Sequence, residues 1–106
     1  MLNSTDNNNG TMVFEREVVI GNRMGLHSRP AAMIARMLSQ ASCDVSLIRD
    51  GGKGESADCR SVLSMLILAA GRGTRLILRA SGEDAEQLIG DIGNYFDRNF
   101  DEDDSE

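Results

Sequence analysis

A chain of 106 residues with 41% hydrophobic content has room for one domain around a modest core. Its net charge of −6 is concentrated at the C-terminus, in Asp101, Glu102, Asp103, Asp104 and Glu106; with these and Asp6 set aside, acids and bases balance at eleven each. A neutral body with one tyrosine, three phenylalanines and no tryptophan excludes both a basic nucleic-acid stripe and a base-stacking platform.

Residues 1–10 have neither a basic start nor an apolar stretch, so they do not read as a signal peptide. No apolar run is long enough to span a bilayer. The expected compartment is therefore the cytoplasm, where Cys43 and Cys59 stay reduced. Their spacing matches no metal site, and small core residues are the expected role for both.

Residues 1–11 are rich in Asn, Ser, Thr and Gly and are expected to be a disordered extension. From 12 to 20, Met12, Phe14, Val18 and Ile20 form the inner row of a half-buried strand, broken by Arg16. A loop over 22–27 leads into a helix over 30–41, whose Ala31, Ile34, Ala35 and Leu38 make one apolar stripe. Cys43, Val45 and Leu47 mark a second strand over 43–49. A glycine-rich turn at 50–54 leads to a weak third strand near 55–59. Ser61 caps or opens a short helix that runs to about Ala70 and ends at Gly71. The fourth strand, 74–80, turns Leu76, Leu78 and Ala80 inward and Arg75 and Arg79 outward. Ser81-x-x-Asp84 resembles a capping box ahead of a helix with an apolar stripe at Ala85, Leu88, Ile89, Ile92 and Phe96. Residues 99–106 are expected to be a disordered acidic tail, which leaves 12–98 as the folded domain. Four strands and three amphipathic helices imply an α+β fold of two layers.

The loop before the first long helix carries the chemistry. Gly25-Leu26-His27-Ser28-Arg29-Pro30-Ala31-Ala32 contains the only histidine and the only proline of the chain. Pro30 has no amide hydrogen and a fixed φ, so it suits a first helical turn and, with Ser28, marks the helix start. His27 then sits at the helix mouth, where unpaired N–H groups and the positive dipole end favour an anion. Arg29 adds a full positive charge. A nucleophilic imidazole beside an anion site suggests a histidine that carries a phosphoryl group; the plainer reading is a surface histidine beside a solvated arginine.

The octapeptide resembles the active-site signature of the HPr phosphocarriers, the small histidine-containing proteins of the bacterial phosphotransferase system. Arg60-Ser61-Val62-Leu63-Ser64-Met65-Leu66 resembles the family's regulatory-serine segment. Gly73-Thr74 and Ser81-Gly82-Glu83-Asp84 resemble its last strand and final helix start. The resemblance runs from about Val13 to Phe96. It implies an open-faced sandwich: a four-stranded antiparallel sheet ordered 1-4-2-3 with three helices on one face. By matching position, it gives His27 the phosphohistidine role and Arg29 the phosphate contact. The phosphoryl group would come to Nδ1 from enzyme I and pass to an enzyme IIA-type acceptor, in sugar transport or regulation.

Ser61 matches the serine that an HPr kinase/phosphorylase modifies in some bacteria, although serine is also the ordinary choice for a helix cap. Met24, Val62 and Leu63 are the candidate docking residues; core packing is the alternative for the last two. Neither metal nor cofactor is implied, nor membrane insertion, nor a nucleic-acid partner. The chain would act as a monomer and a carrier rather than an independent enzyme. The competing reading is a regulatory binding protein, in which the phosphorylation state of Ser61 or His27 controls a transcription factor or enzyme without transport. Segment 50–60 and the tail beyond Phe96 are both longer than the family's usual form.

Overall fold

The structure, a computed structural model, describes residues 2–6, 12–51 and 54–102. In chain order the elements are β1 (Leu2–Asp6), β2 (Met12–Val19), α1 (Ser28–Met37), β3 (Cys43–Arg49), β4 (Ser56–Asp58), α2 (Val62–Leu68), β5 (Arg75–Gly82) and α3 (Ala85–Asp97), with a 3-10 turn at Asn99–Asp101. The sheet is antiparallel throughout and ordered β1-β2-β5-β3-β4. Without β1 this is the four-stranded order 1-4-2-3 with three helices that the motifs imply. Among the described residues no helix is long and apolar enough to cross a membrane.

The core lies between sheet and helices. Val18 faces Leu76 across β2 and β5, and Leu47 faces Leu78 across β3 and β5. All four are buried, together with Ile34, Met65, Ile89, Ile92 and Phe96 from the helices and Leu38 at the C-cap of α1. Cys43 and Cys59 are both free and buried. Burial pushes the Cys59 thiol up to about 12, which keeps it out of thiolate chemistry.

Several local expectations change. Met12 is exposed, and Arg16 explains the break in the inner row of β2. Its guanidinium reaches under α3 to Asp97 (2.6 Å) and Asn94 (3.3 Å). Gly93 makes room for it: a Cβ there would lie 2.4 Å from the Arg16 Nη1 atom. Helix α1 starts earlier than Pro30, at Ser28, and stops at Met37 rather than Ala41. Its end is held from outside. Arg60 donates to the carbonyls of Leu38 (2.8 Å), Ala41 (2.7 Å) and Cys43 (2.8 Å), which ties the C-cap of α1 to the connection that follows it and to the start of β3. Helix α2 stops on Ala69 in the left-handed region, two residues before the expected glycine. The capping box does not form. Ser81 stays in β5, and the Asp84 carboxylate accepts the Ser42 N–H at 2.7 Å, tying the α1–β3 connection to the start of α3.

The two ends differ most from expectation. Residues 2–6, read as disordered, pair with β2 as an edge strand. Residue 1, residues 7–11, Gly52 and Lys53 of the expected turn, and 103–106 of the expected tail lie outside the described residues. Residues 99–102 turn back onto the domain. Asn99, Phe100 and Asp101 all have positive φ, near 54–58°, a conformation that costs roughly 1–2 kcal/mol per residue outside glycine. Burial of Phe100 offsets part of this. Its ring is 1% exposed and sits 5.1 Å from Tyr95 and 4.8 Å from Phe96. Full burial of such a ring contributes about 1.5–3 kcal/mol.

Phe100→Ala is therefore expected to lower unfolding free energy by about 3 kcal/mol, measured by urea denaturation. A loss under ~0.5 kcal/mol, the usual size for a surface change, would show that the turn is not part of the fold.

Candidate functional site

The loop between β2 and α1 is pinned to the far end of α2. The Leu26 N–H donates to the Ala70 carbonyl at 3.0 Å. Gly25 has φ +71°, and a Cβ on it would lie 2.6 Å from the Ala70 oxygen and 2.9 Å from the Gly71 Cα. Only glycine fits that turn without strain. The His27 N–H returns to the Gly25 carbonyl (2.9 Å), and its own carbonyl accepts the Ala31 N–H (3.1 Å). His27 is thus the N-cap of α1, with Ser28, Arg29 and buried Pro30 as the first helical residues. Pro30 lacks the hydrogen that this turn would leave unpaired, while Ser28 and Arg29 supply N–H groups with no acceptor inside the helix. No acidic residue lies in that first turn, so the positive helix end is not neutralised from within.

The imidazole does not cap its own helix. Its Nε2 lies 2.6 Å from Glu102 Oε2, and Nδ1 has no hydrogen-bond partner among the described residues. The side chain is 22% exposed. The Arg29 guanidinium pairs with the same Glu102 oxygen. The other carboxylate oxygen, Oε1, accepts from Asn22 Nδ2 at 2.8 Å, which also donates to the Gly25 carbonyl at 2.9 Å. Asn22 is fully buried, and its Oδ1 has no partner among the described residues. Burial pushes the Glu102 carboxyl up, but hydrogen bonds from Asn22, His27 and Arg29 outweigh it, so the group titrates below the ordinary glutamate range. The site therefore holds a carboxylate anion at neutral pH.

His27, Ser28, Arg29 and Pro30 come together as the sequence suggests. Ser61 caps α2, its Oγ accepting the Ser64 N–H at 3.0 Å. Of the docking candidates, Met24 and Leu63 are each 67% exposed, whereas Val62 is partly buried against the core. Leu66 and Ile67 are exposed beside Leu63, and their i, i+3, i+4 spacing marked an outer apolar face of α2 that sequence reasoning passed over. Asn22 and Glu102 were also missed. A buried loop asparagine has no periodicity to betray it, and Glu102 was one acid in a run of acids. Among the described residues no cluster of His, Cys, Asp and Glu could hold a metal ion.

A family model described as the PTS HPr component phosphorylation site matches residues 14–98. The multiphosphoryl transfer protein of Salmonella typhimurium is 35% identical over 82 residues, which are 77% of this chain and 22% of that protein. The chain thus spans about a fifth of that relative's length. The phosphocarrier protein NPr of Shewanella violacea is 34% identical over 83% of this chain and 93% of its own. The crystal structure of HPr-C-His from Thermoanaerobacter tengcongensis superimposes with a TM-score of 0.75 at 27% identity, covering 84% of this chain and 97% of that one.

Gly25→Ala forces a Cβ against the backbone of Ala70 and Gly71 and places alanine in the left-handed region. A stability loss of about 2 kcal/mol or more is expected in thermal or urea unfolding. Wild-type stability would show that the loop is not held as described.

Proposed function

The chain belongs to the HPr family of the phosphotransferase system, and from that premise we propose that it is a histidine phosphocarrier, loaded by enzyme I and discharged to enzyme IIA-type acceptors. The observation that carries the reading is the contact of His27 Nε2 with the Glu102 carboxylate at the mouth of α1. Nε2 faces a carboxylate, so the ring proton belongs on Nε2. The Nδ1 lone pair is then the nucleophile, at a helix mouth built for an anion.

Nδ1 attacks the phosphorus of the donor phosphohistidine in line. The new P–N bond forms as the donor's P–N bond breaks, and that electron pair stays on the donor imidazole. The Nε2 proton remains where it was, so no general base is needed. What the protein supplies is position and charge. The N–H groups of Ser28 and Arg29 and the Arg29 guanidinium receive the equatorial oxygens through charge-assisted hydrogen bonds. One arginine and two amides stabilise the phosphoramidate moderately, which suits a carrier that must pass the group on.

Partners would approach over the apolar surface of Met24, Leu63, Leu66 and Ile67, all exposed on the loop and the helix that the Leu26–Ala70 bond joins. Buried apolar area of this kind is the usual centre of a protein interface. Ser61 lies at the start of the same helix. Its modification by a kinase would place a dianion beside Leu63, where a partner must desolvate it. The protein would work as a cytoplasmic monomer without a cofactor. Transport and regulation differ in the acceptor, not in this site.

His27→Ala is expected to abolish acid-labile, alkali-stable labelling from phosphoenolpyruvate and enzyme I. Under the same conditions Arg29→Ala should slow transfer without ending it. Loss of one charge-assisted hydrogen bond of about 1.5–3 kcal/mol corresponds to roughly ten- to a hundred-fold in rate. Label retained on His27→Ala would overturn the assignment of the carrier residue. An unchanged rate in Arg29→Ala would remove the arginine from the site.

A further inference from the structure

The site already contains an anion. The Glu102 carboxylate touches His27 Nε2, Arg29 and Asn22 with its two oxygens, and only 10% of its side chain is exposed. Arg29 is the one of these partners that the incoming phosphoryl group also needs. Two anions cannot share one guanidinium at full strength, because each lowers the charge that the other sees.

We propose that Glu102 is a positioning residue of the phosphoryl site: in the unphosphorylated carrier its carboxylate holds His27 as the Nε2–H tautomer and occupies Arg29, and the arriving phosphoryl group displaces it from Arg29. The inference deepens the phosphocarrier reading and rests on it for the identity of the incoming anion.

The fold places Glu102 there by an anchored arm. Phe100, two residues earlier, is locked between Tyr95 and Phe96. Asn99 packs so closely on the β2–α1 loop that a Cβ on Gly21 would lie 2.2 Å from its Oδ1. The three left-handed residues between helix α3 and Glu102 turn the chain back toward α1. The anchor and the carboxylate are thus separate. Phe100 and the Glu102 carboxylate can stay in place while Arg29, whose own side chain is 57% exposed, swings off Glu102 to follow a phosphate. The Oε1 bond to Asn22 (2.8 Å) and the Oε2 bond to Nε2 (2.6 Å) give the carboxylate partners that do not depend on Arg29. The Nε2 proton therefore stays held while Arg29 changes hands, and transfer through Nδ1 is unaffected by the exchange.

The test is a titration of the full chain with inorganic phosphate, followed by the NMR shifts of the His27 and Arg29 amides and the Arg29 Nε–H. Glu102→Gln keeps the size and the acceptor oxygen but removes the charge. It is expected to bind phosphate at least threefold more tightly than wild type. Adding Arg29→Ala to Glu102→Gln should abolish that gain. Asp101→Asn removes the same charge one residue away, where the carboxylate pairs with Arg98, and should leave the affinity as in wild type. Since Phe100 is untouched, each variant should keep the wild-type melting temperature within a few degrees; Glu102→Ala serves as the second variant should Glu102→Gln fold poorly. A gain below threefold, or an equal gain in Asp101→Asn, would overturn the proposal. Labelling by enzyme I is measured on the same samples: labelled wild type without a phosphate gain in Glu102→Gln refutes the role of Glu102 alone, while an unlabelled wild type refutes the carrier reading itself.

Discussion

Everything at this site follows from one attachment, the loop ahead of α1 pressed onto the end of α2. The Leu26–Ala70 hydrogen bond and the tight passage of Gly25 over Ala70 and Gly71 fix the angle at which the chain enters α1. That angle makes His27 the N-cap, and it turns the ring out of the helix rather than over its amides. An N-cap serine or aspartate would satisfy those amides itself. A histidine whose ring faces elsewhere leaves them for an external anion. The same attachment ties the loop that carries Met24 and His27 to the end of α2, the helix on which Leu63, Leu66 and Ile67 are exposed.

On the phosphocarrier reading, the low charge of the site has a chemical reason. A phosphoramidate must be stable enough to survive until it meets an acceptor and reactive enough to leave. A single arginine, two amides and a helix end fit that need better than a dense cationic pocket. Glu102 reduces the positive charge further in the resting state. Its pairing with Arg29 and its bond to Nε2 share one oxygen atom, so the proposed tautomer and the proposed resting charge are coupled. Asn22, buried, links loop and carboxylate by giving its amide to both.

Much of this could be read in the chain. Period-two rows marked β2, β3 and β5, the apolar stripes of α1 and α3 gave their buried faces, and the sole histidine beside the sole proline marked the start of α1. Signals of local chemistry failed where another residue, near or distant, outcompeted them. The Asp84 cap was lost to the Ser42 amide, and the expected glycine stop of α2 to a left-handed Ala69. Arg16 looked like a flaw in the inner row of β2 until Gly93 and Asp97 supplied a notch and a partner. Glu102 was invisible for a related reason. Its contact with His27 spans 75 positions and that with Asn22 spans 80. It depends on Phe100 finding the core, which an acidic and apparently solvated tail does not advertise.

The central claim is that Glu102 secures the proton on Nε2 and so leaves Nδ1 to carry the phosphoryl group. The most direct measurement is 15N and 31P NMR of the protein with a 15N-labelled imidazole, after phosphorylation by enzyme I. The account predicts one phosphoramidate, with its phosphorus coupled to His27 Nδ1 and the proton retained on Nε2. Phosphorus coupled to Nε2 would contradict it, since that atom is the one bonded to Glu102.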